Sequence, residues 1–290
     1  MDTFIQVLLA GTTIGCIYAL VALGFTLTIA AAGVVNFAYA EWVTYGGFFG
    51  VMLVGLGWPL WLALIGAVVF SVGVGYVFQR VVFRPLEGKH FLTTVTATIG
   101  VSVSMAALAV LIWGPYPLTL PTFFGSGIIS LGGVSLFPHN LLIIAITAVL
   151  IGVLHLGLTR TTIGYRLQAT AQDPDAARLM GIRVRRMRTL AYLFSAGLAG
   201  LAGFLVAPLF IVTTTMGFSL MLKGLAATIV GGWGSLKGAV FGGLIIGIIE
   251  ALGAAYISSE YKDVIAFLIV IVVLLAMPRG LFPERIAEKL

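Results

Sequence analysis

Thirty-eight consecutive residues, Thr3 to Ala40, pass without one Asp, Glu, Lys or Arg. A second uncharged run of 38 covers Trp42 to Gln79, a third of 70 covers His90 to Thr159, and a fourth of 34 covers Thr189 to Leu222. A helix needs roughly 20 mostly apolar residues to cross a bilayer, so these runs hold two or more segments each. Charged residues make up 9% of the chain, against roughly 25% in soluble domains, too few to coat a water-facing surface. The alternation of a membrane β-barrel is missing, which leaves helices as the way to satisfy the backbone in lipid. The fold expected is all-α: a polytopic transmembrane helix bundle of about 8–9 hydrophobic segments, some broken or re-entrant. Residues 1–290 read as one transmembrane domain, with a polar cytoplasmic loop at 159–188 inside it. The first 32 residues have no basic lead and too long an apolar stretch for a signal peptide, so they read as a retained helix.

Placement of charge orients the chain. Thirteen of the 16 Lys and Arg fall in three clusters. Arg80, Arg84 and Lys89 form the first; Arg160, Arg166, Arg178, Arg183, Arg185, Arg186 and Arg188 the second; Arg279, Arg285 and Lys289 the third. Basic loops stay in the cytoplasm, which puts all three clusters inside; the N-terminus, which begins with Asp2 and has no Lys or Arg for 79 residues, is expected outside. Spans are expected at 4–32, 34–56, 59–83, 91–113, 139–158, 189–212, 218–231, 237–257 and 261–277, with 218–231 short enough for a re-entrant half-helix. Residues 114–138 read as a Pro/Gly-rich outer loop. Gly234, Gly238 and Gly242, and Gly243 with Gly247, recur every four residues and let helix backbones approach closely.

The loop at 159–188 carries its own short helix. Asp173 suits the N-cap, Pro174 the first helical position, Asp175 the positive end of the dipole and Gly181 the stop. Ala176, Leu179 and Met180 share one face by their spacing. Two turns of helix are marginal in water unless docked. Either that face rests on anionic lipid headgroups, helped by the flanking arginines, or it docks on a cytoplasmic protein, the reading we favour.

Asp175-Ala176-Ala177-Arg178-Leu179-Met180-Gly181 resembles the EAA-x-x-x-G loop of ABC importer permeases, with Asp for the usual Glu. The likeness extends to the branched-chain amino acid importer permease family. Its carriers here are Gly11-Thr12-Thr13-Ile14-Gly15, Val35-Asn36-Phe37-Ala38 ahead of Glu41, Gly231-Gly232-Trp233-Gly234-Ser235-Leu236-Lys237-Gly238-Ala239, Glu250-Ala251-Leu252 and Met277-Pro278-Arg279-Gly280. Relatives usually have His-Gly where this chain has Tyr39-Ala40. The resemblance implies an inner-membrane permease whose coupling helix (Asp175, Ala176, Ala177, Leu179, Met180, Gly181) sits in a groove of an ATPase subunit. It also implies two such ATPases, a second related permease subunit and an extracytoplasmic binding protein. Cargo would be branched-chain amino acids, or else urea, amides or aromatic acids.

Four charges interrupt the hydrophobic segments: Glu41, Lys223, Lys237 and Glu250. Such residues mark interiors and cavities. Glu41, with Asn36 and Tyr39, is a candidate for the substrate path or for a polar tie between helices. Glu250 is expected to brace the bundle, against Lys223 or Lys237, although either lysine is also placed to snorkel to an interface. His90, His139 and His155 fit no metal-ligand spacing, Cys16 reads as a small core residue, and Trp42, Trp58, Trp61, Trp113 and Trp233 read mostly as interfacial anchors.

No Gly-x-x-x-x-Gly-Lys-Ser/Thr cradle occurs and no nucleophile–base pair is apparent, so no catalytic residue, metal or cofactor is expected; ATP would be bound by partner subunits. Nucleic acid is not an expected partner despite the net charge of +6. Two other classes compete with this reading. An ion-coupled secondary transporter would use Glu41 and Glu250 but has no need of a docked two-turn helix. A membrane-embedded enzyme has no reactive constellation to support it.

Overall fold

The computed structural model describes residues 2–125, 127, 129–131 and 134–282; Arg285 and Lys289 of the third basic cluster lie outside them. The helices are α1 (Asp2–Ala32), α2 (Tyr39–Gly55), α3 (Leu60–Phe78), α4 (Arg84–Leu86), α5 (Phe91–Trp113), α6 (Pro138–Arg160), α7 (Thr162–Gln172), α8 (Pro174–Leu179), α9 (Val184–Val206), α10 (Met216–Gly231), α11 (Leu236–Tyr256) and α12 (Lys262–Ala276). A π-helical turn, Gln79–Phe83, joins α3 to α4. Six stretches are long and apolar enough to span a bilayer: Thr3–Ala32, Leu60–Leu86, Phe91–Trp113, Pro138–Arg160, Val184–Val206 and Leu236–Tyr256. The shorter α2, α10 and α12 occupy the other three expected segments.

Several boundaries differ from the sequence expectation. The second segment starts at Tyr39, not residue 34, because Gly33 takes φ 72° and ends α1, leaving Asn36 in the break. The sixth starts at Val184, so Arg185, Arg186 and Arg188 ride on its first turns, and it stops at Val206. Residue 212 belongs instead to an antiparallel bridge between Leu118 and Val212. Within the loop at 114–138, Ile129–Leu131 (β1) and Val134–Leu136 (β2) pair antiparallel, Ile129 facing Leu136 and Leu131 facing Val134. The helix α7, capped by the Thr161 hydroxyl on the Gly164 amide, was not expected.

Packing divides the chain into two compact units, each gathered from separate stretches. One holds residues 1–26, 121–152 and 222–290. Its centre is α11, whose small residues meet backbone on two sides. A methyl added at Gly242 would collide with Ala227 of α10, and one at Gly243 or Gly247 with Ala19 or Gly15 of α1. The tail closes on α10: Leu281 and Phe282 donate to the carbonyls of Val230 and Gly231 at 2.9 and 2.8 Å. Gly280, at φ 78°, makes the turn.

The other unit holds residues 27–120 and 153–221. There α2 is buried almost all round against α3 and α9, with Gly46 on Gly200 and Gly203 on Val43. Inward residues of α3 (Ala63, Ala67, Ser71, Gly75) repeat every four positions, while Ile65 and Val69 on its outer face are exposed. That polarity, small inside and branched outside, suits a helix that packs closely on protein and faces lipid elsewhere.

Candidate functional site

Three places gather the polar residues singled out above. The first is the break between α1 and α2. Asn36 is fully buried; its Oδ1 accepts the Ala38 amide at 3.1 Å and so shapes the turn that starts α2. Glu41, 3% exposed, accepts at Oε1 from the Ser102 hydroxyl at 3.0 Å. One turn earlier on α5, the Thr98 hydroxyl accepts the Phe37 amide at 3.3 Å. Thr94, Thr98 and Ser102 are all buried and stand four apart, so one face of α5 is a hydroxyl stripe turned toward this break, while Leu92, Ile99 and Val103 are exposed. Among the described residues, the second oxygen of Glu41 and the amide nitrogen of Asn36 have no hydrogen-bond partner. A buried polar atom left so costs about 1–3 kcal/mol.

The structure thus sets Glu41 against the α5 hydroxyl stripe, leaves Asn36 in the adjoining break, and packs Tyr39 on Trp42. The Tyr39 ring packs edge-on against Trp42 at 5.7 Å, and Trp42 in turn meets Phe78 at 5.4 Å and Tyr192 at 6.0 Å. Trp42 is fully buried at the centre of this aromatic cluster. It is no interfacial anchor, because its indole fills the space beside the glycine-lined α2–α9 approach. The α5 hydroxyls were missed from sequence, although their spacing in an otherwise apolar helix was visible there.

The second place lies in the other unit. The Lys223 ammonium donates to Glu250 Oε1 at 2.6 Å, Asp263 Oδ1 at 2.8 Å and the Tyr18 hydroxyl at 3.0 Å. Tyr18 donates onward to Glu250 Oε2 at 2.8 Å. The cluster ties α1, α10, α11 and α12 together. Lys223 and Glu250 are buried, and Asp263 keeps 55% of its side chain exposed. Lys223 is therefore internal and paired rather than reaching for an interface, because a carboxylate stands within reach in the interior. Lys237 lies exposed at the start of α11, away from this pairing.

The third place is α8. Asp173 Oδ1 accepts the amides of Asp175 and Ala176, both at 3.0 Å, and Gly181 leaves the helix at φ 77°. Asp175 also holds Arg178 at 2.6 Å on the exposed surface. Leu179 and Met180 are 89% and 82% exposed, and Ala176 is exposed beside them. Ala177, which lies off the face shared by Ala176, Leu179 and Met180, is buried. On a helix packed at its rear by α7 and α9, one position in each turn must face inward.

Among the described residues no three His, Cys, Asp or Glu side chains gather as a metal site. His90 accepts the Leu92 amide at 3.3 Å as the cap of α5, and His139 is buried against Phe123.

A family described as "Branched-chain amino acid transport system / permease component" matches residues 7–274. The high-affinity branched-chain amino acid transport system permease protein LivH of Escherichia coli K12 is 32% identical, the alignment covering 99% of this chain and 97% of LivH. The corresponding protein BraD of Pseudomonas aeruginosa is 31% identical, covering 99% and 98%. Among solved structures, PsaBC from Streptococcus pneumoniae in complex with Fab aligns over 95% of this chain and 92% of that one, with a TM-score of 0.56. At 16% identity that likeness speaks for the fold alone.

Proposed function

Since the chain belongs to the permease-component family of branched-chain amino acid transport systems, we propose that it forms the translocation path for branched-chain amino acids and takes its drive from separate ATPase subunits through α8. The observation that carries this reading is the exposed Leu179–Met180 face on a helix too short to persist unaided. Two turns are marginal in water, yet α8 has a full side-chain cap, a glycine stop and a buried rear at Ala177. A preformed knob presenting two large apolar side chains to water suits a groove in a partner. An ion-coupled carrier has no use for it.

The remaining parts follow from that arrangement. Two cytoplasmic ATPases would bind nucleotide, a second related permease subunit would complete the membrane core, and an extracytoplasmic binding protein would deliver cargo. The three basic clusters support a cytoplasmic α8 and an outer N-terminus, since basic loops tend to stay inside. Asn36 and Glu41 border the path: the Glu41 oxygen and the Asn36 amide nitrogen without a partner among the described residues are an acceptor and a donor suited to the two ends of a zwitterion, and Tyr39 supports them from the aromatic cluster.

The test is co-purification of the ATPase with Leu179→Asp/Met180→Asp. Loss of the ATPase with normal membrane levels of the permease is expected, and uptake of leucine should fall with it. Retention of the ATPase and of leucine uptake would refute coupling through this face.

A further inference from the structure

Where the apolar stretch Leu60–Leu86 ends, the chain opens a cavity of about 800 Å³ against the start of α9. Arg80, Arg84, Arg185 and Arg186 line it, together with Tyr76 and Gln79, and no Asp or Glu is among its lining residues. Among the described residues no carboxylate pairs with Arg84, Arg185 or Arg186. Arg80 gives one hydrogen bond to the Tyr76 hydroxyl at 3.0 Å, which leaves most of its five N–H groups free. Neighbouring Arg188, by contrast, stands 3.6 Å from Glu87.

Gln79 supplies a second and independent observation. It is 3% exposed, it lines the cavity, and its amide nitrogen has no hydrogen-bond partner among the described residues. It also opens the π-helical turn Gln79–Phe83, a widened turn of the sort that recurs at binding sites. Buried amide donors rarely go unmet; this one lies in the cavity wall, and a turn of the Gln79 side chain would present it to an anion held by the guanidinium groups. The surroundings narrow the kind of anion. Ile163 on the cavity wall is 48% exposed, and Val77 and Val81 on the adjacent outer face are 58% and 64% exposed. Forked cationic donors beside bare branched side chains, at the end of a membrane span, fit a molecule with a phosphate and an acyl chain. A soluble phosphate uses only half of that surface.

We propose that this cavity binds the phosphodiester headgroup of an anionic phospholipid, with its acyl chain lying along Val77, Val81 and Ile163. The full-length chain, purified in mild detergent, would be titrated with phosphatidylglycerol or phosphatidylcholine and its lipid adducts read by native mass spectrometry. The wild type should prefer phosphatidylglycerol by about tenfold or more, each arginine removed costing about fivefold. Arg84→Gln/Arg185→Gln/Arg186→Gln should abolish the preference, whereas Arg160→Gln, outside the cavity, should keep it. Gln79→Leu should weaken phosphatidylglycerol binding without lowering thermal stability, a split that a purely structural glutamine would not give. Should the triple variant not fold, Gln79→Leu and the exposed pair Arg185→Gln/Arg186→Gln carry the test. Equal binding of the two lipids, or a preference that survives these substitutions, overturns the proposal. So does displacement of the lipid by millimolar inorganic phosphate, which would mark a free-anion site. Loss of a co-purifying ATPase with unchanged lipid binding would make the arginines a protein interface and equally overturn it.

Discussion

Each of the three ammonium hydrogens of Lys223 meets a protein oxygen, and both oxygens of Glu250 are occupied in return. Lys223 keeps Asp263 if Glu250 is lost, but removing Lys223 leaves the buried Glu250 with no cation to pair with, which costs about 3–5 kcal/mol. Lys223→Met should therefore lower the thermal midpoint of the purified chain sharply. Adding Glu250→Gln to it should recover most of the loss, because the orphaned charge goes too; a double variant no better than the single would contradict this account. Glu41 differs in kind, since Ser102 satisfies only one of its oxygens. Glu41→Gln should leave membrane levels normal and reduce the uptake rate, and unchanged uptake kinetics would take Glu41 out of the path. The sequence marked both glutamates as anomalies, offered Lys223 or Lys237 for Glu250 and named no partner for Glu41. Ser102 is 61 residues from Glu41, and Lys223 is 27 from Glu250. No helical spacing connects such positions; packing alone decides them, and Lys237 was as plausible a partner on paper as Lys223.

At the scale of the element, the legible features were those with local causes. Uncharged runs of helical length located the membrane segments to within about six residues, and Asp173, Pro174 and Gly181 located α8. Errors arose where a local rule met a tertiary demand. Trp42 follows a charge near a helix start, as interfacial tryptophans do, yet it closes an aromatic cluster. The cap of α8 offers a graded test. Asp173→Ala removes two hydrogen bonds to backbone amides and should cost the helix about 1 kcal/mol. Transport should weaken while ATPase binding is reduced only in part, unlike the complete loss expected from acidic residues at 179 and 180; transport equal to wild type at matched expression would count against a role for preformed helix.

For the whole molecule, the decisive expectation is sidedness. Cys16 is the single cysteine and is buried, so the wild-type chain should be silent to a membrane-impermeant maleimide. Met180→Cys places a thiol on a side chain that is 82% exposed. It should label in inverted membrane vesicles and not in right-side-out ones, with less labelling once the ATPase is bound. Labelling from the outer face would reverse the orientation deduced from the arginine clusters, and with it the site where an ATPase can act.

The backbone-to-backbone seams of α11 bear on how any movement is shared out. Side chains between helices act as cushions that can re-pack, but at Gly243 and Gly247 against α1, and at Gly242 against α10, nothing stands in between. Tilting or rolling there would drive main chain into main chain, so these three stretches are obliged to travel as one block. Whatever shape change accompanies a transport cycle must be taken up at softer seams, where longer side chains leave room to slide.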